Sequence, residues 1–236
     1  MISDPRMSET APKTELMRSL GRLVRGLSAL FWGRPIVLVA CVQTATTDWI
    51  RSLGPYGLIV PAATNSLLFY GLWLMSDFQK QERIWMLALD RAKILGLTNI
   101  GLSPFLRWHQ QLPDVPFFYY AVCVMALSAL LFLFNLNQML QRLTAMLPDE
   151  TLRTETKVFT SLNGLLLVFI PAFLALYFTL VQIHNLPYSL ELLLRILQPL
   201  SPWLLLLLTL LPVAITMSLI WKIKEAILAS VFGPEH

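Results

Sequence analysis

Four long stretches of this chain carry no charged residue, and each is long enough to cross a lipid bilayer. A helix needs about 20 predominantly apolar residues to cross a hydrocarbon core about 30 Å thick. The stretches are continuously apolar rather than alternating, which favours helices over the strands of a membrane barrel. We therefore predict an all-α fold, a polytopic transmembrane helical bundle within a membrane domain over residues 32–221, with spans at about 56–75, 117–137, 162–183 and 199–220.

Composition agrees with a membrane environment and argues against nucleic acid as a partner. Hydrophobic residues make up 56% of the chain and charged residues only 14%, whereas soluble domains carry about 25% charged residues. A soluble fold of this length could not cover so much apolar surface. The net charge of +4 fits basic segments beside anionic lipid headgroups. Since no nucleic-acid-binding fold is recognisable, we expect membrane lipids and no nucleic acid as partners.

The segment 35–53 leaves two interpretations open. Between Arg34 and Asp48 only thirteen residues are uncharged, and runs of that length are more often re-entrant or interfacial than spanning. A full span here would extend back towards Leu27 and hold Arg34 near a membrane boundary. The sequence predicts either a half-span or a fifth crossing.

Residues 16–31 predict a basic amphipathic helix. Leucines recur at three- and four-residue spacing on one face, and the opposite face carries Arg18, Arg22 and Arg25. Such a helix lies in the membrane interface with its arginines among headgroup phosphates. The competing interpretation is a helix that binds a partner protein.

Three further segments complete the predicted organisation. Residues 81–97 alternate charged and apolar faces and predict a second surface helix. Residues 1–15 are polar and contain two prolines, which predicts a disordered tail. Residues 222–236 are predicted to form a C-terminal tail.

The predicted spans carry no titratable residue near their middle, and no catalytic motif is present. The histidines lie in a loop, at a span end and at the C-terminus: His109, His184 and His236. Neither Cys41 nor Cys123 has a neighbour at metal-ligand spacing. We therefore expect no enzyme activity, no metal site and no cofactor that the sequence identifies.

The polar residues within the spans are amides and hydroxyls, of which Asn65, Asn135 and Asn163 are the main candidates for intramembrane contacts. Amides in lipid hydrogen-bond across helices, each contributing roughly 0.6–2 kcal/mol. Their scatter in depth favours a role in holding helices together. The alternative is a site for the polar head of a ligand.

The sequence-based hypothesis is a non-catalytic accessory, scaffold or assembly subunit of a larger membrane complex, or a homo-oligomer. The alternative is a transporter component or a membrane protein that binds a lipid or small molecule, suggested by Pro171, Pro212 and Asn65. Short loops and the absence of a recognisable signal peptide suggest a bacterial inner membrane. The bias of Lys and Arg between loops predicts a cytoplasmic N-terminus.

Overall fold

The structure is a computed structural model, and it describes residues 5–46, 54–79, 81–147, 149–182 and 188–232. These residues form six α-helices, one short 3-10 helix (Gly54–Leu58) and no β-strand. The predicted all-α fold is confirmed. The helices are α1 (Pro5–Thr46), α2 (Ile59–Met75), α3 (Arg83–Gln111), α4 (Pro116–Ala145), α5 (Glu150–Gln182) and α6 (Tyr188–Phe232).

Five segments of the described chain are long and apolar enough to cross a membrane. They fall in α1, α2, α4, α5 and α6, so the protein is a multi-pass membrane protein. Four of the segments contain most of the four predicted spans. The fifth lies in α1 and includes the described part of the undecided segment 35–53. The five segments are Met17–Ala45, Tyr56–Met75, Pro116–Ala145, Glu150–Tyr177 and Leu206–Ser230.

Helix α1 joins segments that the sequence analysis kept apart. Its backbone is helical from Pro5, so residues 5–15 are not the disordered tail that their composition predicts. No break separates 16–31 from the following residues. Leu23, Leu27 and Leu30 are fully buried against other helices, and the same stripe continues into Ala40. The leucine face predicted to enter lipid instead packs inside the bundle.

Helix α3 is longer than the predicted surface helix 81–97, and it lies lengthwise between α2 and α4. Near its start, the buried Trp85 donates its indole N–H to the carbonyl of Phe78, at 3.1 Å. Near its end, the ring of Phe105 lies 5.8 Å from that of Phe117, at the start of α4. Helix α3 therefore packs along the spanning helix α4, from the start of α4 to at least Phe132, which lies beside Gly96 of α3.

Residues 222–232 are also helical, which corrects the prediction of a C-terminal tail from 222 onwards. Ile223 and Ile227 are buried in the same core as the leucines of α1. On the exposed side, the Lys222 ammonium pairs with the Glu155 carboxylate of α5 at 2.5 Å. Apolar residues at helical spacing therefore continue the last helix beyond the predicted span end.

The six helices form a closed ring in which each helix packs beside its neighbour in sequence and α6 packs beside α1. The ring of Phe31 in α1 lies 5.7 Å from that of Trp221 in α6. Successive helices run antiparallel, so α1 begins and α6 ends at the same end of the bundle, here called the terminal face. The ion pair between Arg22 and Asp77 also lies there.

Two glycines let α1 and α2 approach closely. A Cβ added to Gly26 would lie 2.7 Å from the carbonyl oxygen of Gly71. A Cβ added to Gly71 would lie 3.1 Å from the carbonyl oxygen of Gly26. Small residues at such crossings bring helix backbones together in membranes, where van der Waals packing drives association.

Helix α5 begins at an acidic cap, as the Asp149–Glu150 pair predicts. Asp149 Oδ1 accepts hydrogen bonds from the Thr151 hydroxyl at 2.6 Å and from the backbone N–H groups of Thr151 and Leu152 at 3.0 and 3.1 Å. These bonds, that of the Thr151 hydroxyl first, lower the pKa of Asp149 below its ordinary value. The charged carboxylate satisfies N–H groups that the helix leaves unpaired.

Candidate functional site

All six helices contribute to the lining of a cavity of about 380 Å³ inside the ring. Most of the lining side chains are aliphatic or aromatic. Its polar side chains are few and come from four helices: Arg34 and Cys41, Asn65, Asn99 and Thr209. None of the described lining residues is acidic.

Arg34 is the most unusual residue of this lining. It is only 5% exposed, and none of its three guanidinium nitrogens has a hydrogen-bond partner among the described residues. A guanidinium in a protein stays protonated and offers five N–H donors. The cavity wall therefore holds a positive charge with unused donors.

Two asparagines lie in the same lining. Asn65 is buried and donates its amide to the Pro61 carbonyl at 2.8 Å. Asn99 is also buried, and its Oδ1 has no partner among the described residues. Rotation of that amide by 180° would exchange its oxygen for its NH₂ group, so Asn99 can offer either an acceptor or a donor.

These groups lie near the middle of the membrane-spanning segments. Asn65 is centred in Tyr56–Met75, with about 14 Å of helix on either side at 1.5 Å per residue. Gly33, the neighbour of Arg34, packs against Leu68, one turn from Asn65. The guanidinium thus belongs to the interior of the spans and not to their ends. Polar and charged groups at this depth are costly and are characteristic of functional sites.

No protein-family model, curated protein or solved structure matches this chain. Any assignment of function therefore depends on the geometry of the site.

Arg34 and Asn99 are the residues that sequence analysis missed. A fifth crossing was expected to hold Arg34 near a membrane boundary, whereas the structure places it at the depth of Asn65. The expected lack of titratable groups near the middle of the four predicted spans concerned other helices. The signal that identifies its position is the apolar spacing of α1, since Leu30 precedes Arg34 by four residues and Val37 follows it by three. Asn99 was missed because α3 was expected to end at residue 97, on the surface.

A second polar cluster joins α4, α5 and α6 beside the cavity, where Pro212 belongs to both. The Thr216 hydroxyl accepts hydrogen bonds from Asn137 at 3.1 Å and from Asn163 at 2.9 Å, and donates to the Pro212 carbonyl at 2.7 Å. All three side chains are buried. They connect helices of this one chain in the way that amides do in lipid.

The other predicted contact residues lie in different surroundings. Asn135 is half-buried and donates its amide only to the Leu131 carbonyl of its own helix, at 2.9 Å. Arg18 and Arg25 are exposed near the terminal face, where Arg22 pairs with Asp77. Of the three predicted amides, Asn65 therefore belongs to the cavity, Asn163 to the second cluster and Asn135 to neither.

The predicted histidine positions add little to the site. His184 and His236 lie outside the described residues. His109 lies near the end of α3, with its ring 6.1 Å from that of Tyr119. Within the described ranges, no three His, Cys, Asp or Glu side chains are grouped so that they could hold a metal ion.

Proposed function

We propose that this multi-pass membrane protein binds a lipid or another apolar small molecule in the cavity at the centre of its helix ring. The observation that carries the proposal is the lining, which is drawn from six helices around a cavity of about 380 Å³ at the depth of the spans. Ligand pockets have volumes of about 300–1,000 Å³ and are mostly apolar with a few polar groups. Apolar cavities of this kind favour an apolar occupant over water.

The test uses a cross-linking probe that partitions into membranes. Proteoliposomes containing the protein are equilibrated with dodecanol and dodecanoate that each carry a diazirine on the chain, irradiated, and digested for mass spectrometry. We expect cross-links to cavity residues such as Leu133 and Ile170, which are buried from the surrounding lipid.

Two tryptophan substitutions provide the matched comparison. Ala129→Trp places a large ring in the cavity lining and is expected to remove those cross-links. Ala172→Trp, at an exposed position of α5 outside the lining, is expected to keep them. Labelling confined to lipid-facing residues for both probes would contradict the proposal.

The accessory-subunit hypothesis is the second candidate. One of its supports was the lack of titratable groups within the predicted spans, and Arg34, at depth in the fifth span, weakens it. Another was the set of amides, of which Asn137 and Asn163 bind Thr216 of the same chain. The large apolar side chains on the outside of α5, including Leu165 and Val168, suit either lipid or a partner. Co-purification of a stoichiometric partner from native membranes in mild detergent would support this candidate.

We also propose that the terminal face is cytoplasmic, which agrees with the predicted orientation and suits a bacterial inner membrane. In the opposite half of the bundle, the only described basic residues are Arg107 and Arg195. Basic residues on the cytoplasmic side are what the positive-inside rule requires. Those in the half of the bundle that includes the terminal face are Arg18, Arg22, Arg25, Arg83, Arg91, Lys93, Arg142, Arg153, Lys157, Lys222 and Lys224.

Orientation is measured with single cysteines in a variant that lacks the native ones. A cysteine at Ser230, exposed near the end of α6, should react with an impermeant maleimide only after the cells are opened. A cysteine at Asp114, exposed between α3 and α4, should react in intact cells or spheroplasts. The reverse pattern would invert the proposed orientation.

A further inference from the structure

The cavity contains one positive charge and no negative one among its described lining residues. The Arg34 side chain is buried, and its Nε, Nη1 and Nη2 atoms all lack partners in the described part of the chain. Removing a charge from water without a counter-ion is strongly unfavourable. The guanidinium of Arg34 therefore has no counter-ion among the described residues, and an anion would complete the site.

From this we infer that the ligand of the cavity is an amphiphile with an anionic head, a carboxylate or a phosphate, whose charge is bound by Arg34. The inference rests on the proposed function and adds the chemical class of the ligand. The planar fork of a guanidinium matches the two oxygens of either head, and the resulting charge-assisted hydrogen bonds are stronger than neutral ones. Asn99, through its NH₂ group, can complete the contacts of the head.

The rest of the cavity lining indicates which kind of group the anionic head of the ligand carries. Beyond the polar groups, the wall consists of side chains such as Leu68, Met125 and Leu133, which offer an anion no hydrogen bonds. A free inorganic anion would leave this surface uncovered, whereas an alkyl chain would cover it with van der Waals contacts. An anionic single-chain lipid or fatty acid satisfies both parts of the cavity.

The experiment compares heads on the same chain. Diazirine-bearing dodecanoate, dodecyl phosphate, dodecanol and dodecylamine are each applied to the full-length protein in proteoliposomes, and half-saturating concentrations in the membrane are measured from cross-links to Leu133 and Ile170. We expect the two anions to bind about tenfold or more tightly than the alcohol, since hydrogen bonds to charged groups are the stronger class. The amine should bind more weakly than the alcohol.

Three variants then assign the preference to one side chain. Arg34→Met retains the length of the side chain without its charge and should equalise the anions and the alcohol. Arg34→Lys keeps the charge without the fork and should retain part of the preference. Arg25→Met, at an exposed position of the same helix, should leave the preference at its wild-type value.

The possible outcomes separate this inference from the proposed function. Equal cross-linking of cavity residues by acid and alcohol in the wild-type protein would overturn the inference and leave the cavity-binding proposal standing. Failure of every probe to reach cavity residues would overturn both. Displacement of dodecanoate by inorganic phosphate at concentrations as low as those at which decanoate displaces it would identify a site for free anions and overturn the inference of an amphiphile. The wild-type comparison decides the inference even if a variant fails to fold.

Discussion

Replacing Arg34 by methionine should stabilise the ligand-free protein. Translocon-based scales place an arginine at the centre of a transmembrane helix at about 2.5–3.5 kcal/mol above an apolar environment. In this structure the guanidinium is buried beside apolar walls, and no described partner offsets that cost. Methionine has a similar length and no charge. We expect the free energy of unfolding to rise by about 3 kcal/mol, which is more than a hundredfold in the folding equilibrium.

The measurement is reversible unfolding in lipid–detergent bicelles, titrated with sodium dodecyl sulfate and followed by circular dichroism and tryptophan fluorescence. Because dodecyl sulfate is itself an anionic amphiphile, steric trapping with a monovalent streptavidin serves as a second assay without it. Arg25→Met, at an exposed position of the same helix, is the control and should change stability by less than about 0.5 kcal/mol.

The same two proteins should also differ in how much a ligand stabilises them. At one hundred times its dissociation constant, dodecanoate should stabilise the wild-type protein by about 2.7 kcal/mol through mass action. It should stabilise the Arg34→Met variant, which binds about tenfold more weakly, by only about 1.4 kcal/mol, so that the difference in stability between the two proteins narrows by about 1.3 kcal/mol. A variant less stable than wild type by more than about 1 kcal/mol without ligand would refute the reasoning, because it would mean that the folded protein already pairs this charge.

Three further predictions follow from the packing and the helix cap. Gly26→Ala should destabilise the bundle by about 1–3 kcal/mol because the added methyl group meets a backbone oxygen. Gly21→Ala is the control and should not destabilise it, since the added methyl group lies in open space. Equal unfolding midpoints for the two variants would contradict this prediction. Thr216→Val should lower the free energy of unfolding by about 0.6–1.7 kcal/mol because it removes hydrogen bonds among three helices. The same unfolding titration measures this change, and an unchanged free energy would show that these hydrogen bonds do not stabilise the bundle. The carboxyl of Asp149, whose pKa is lowered in the folded protein, should titrate by NMR below its ordinary value of 3.8. Its stabilising effect is complete above that value and is lost as pH falls through the lower folded pKa; Thr151→Ala should raise the NMR midpoint, and an unmoved midpoint would contradict the cap.

Hydropathy was sufficient to predict most of the architecture. Segments such as Pro116–Ala145 are apolar on every side, so that length alone identifies them as spans. Helix α1 was harder to predict because Arg22, Arg25 and Arg34 lower its mean hydropathy. They also divide its sequence into segments that each suggest a different environment. The regular three- and four-residue spacing of apolar residues continues past these arginines and indicates a single helix. Hydropathy averaged over a window does not preserve that spacing.

The candidate site was predicted in part and for a clear reason. Asn65 lies in the middle of an apolar run, so its polarity stands out in the sequence. Asn99 follows the charged residues Asp90, Arg91 and Lys93 in α3 and does not stand out. Whether an amide faces a cavity, another helix or lipid depends on tertiary packing, which is why Asn135 could not be distinguished from its buried neighbour Asn137.

The contact between the first and last helices also fixes the order of events during biosynthesis. A ribosome delivers α1 to the membrane well before Trp221, its partner in α6, has been translated. Until that last helix docks, the wall of the ring is incomplete and the bilayer has direct access to the Arg34 side chain. Membrane lipids can therefore enter from the side during assembly, and a chain truncated before α6 would expose a lone cation to hydrocarbon.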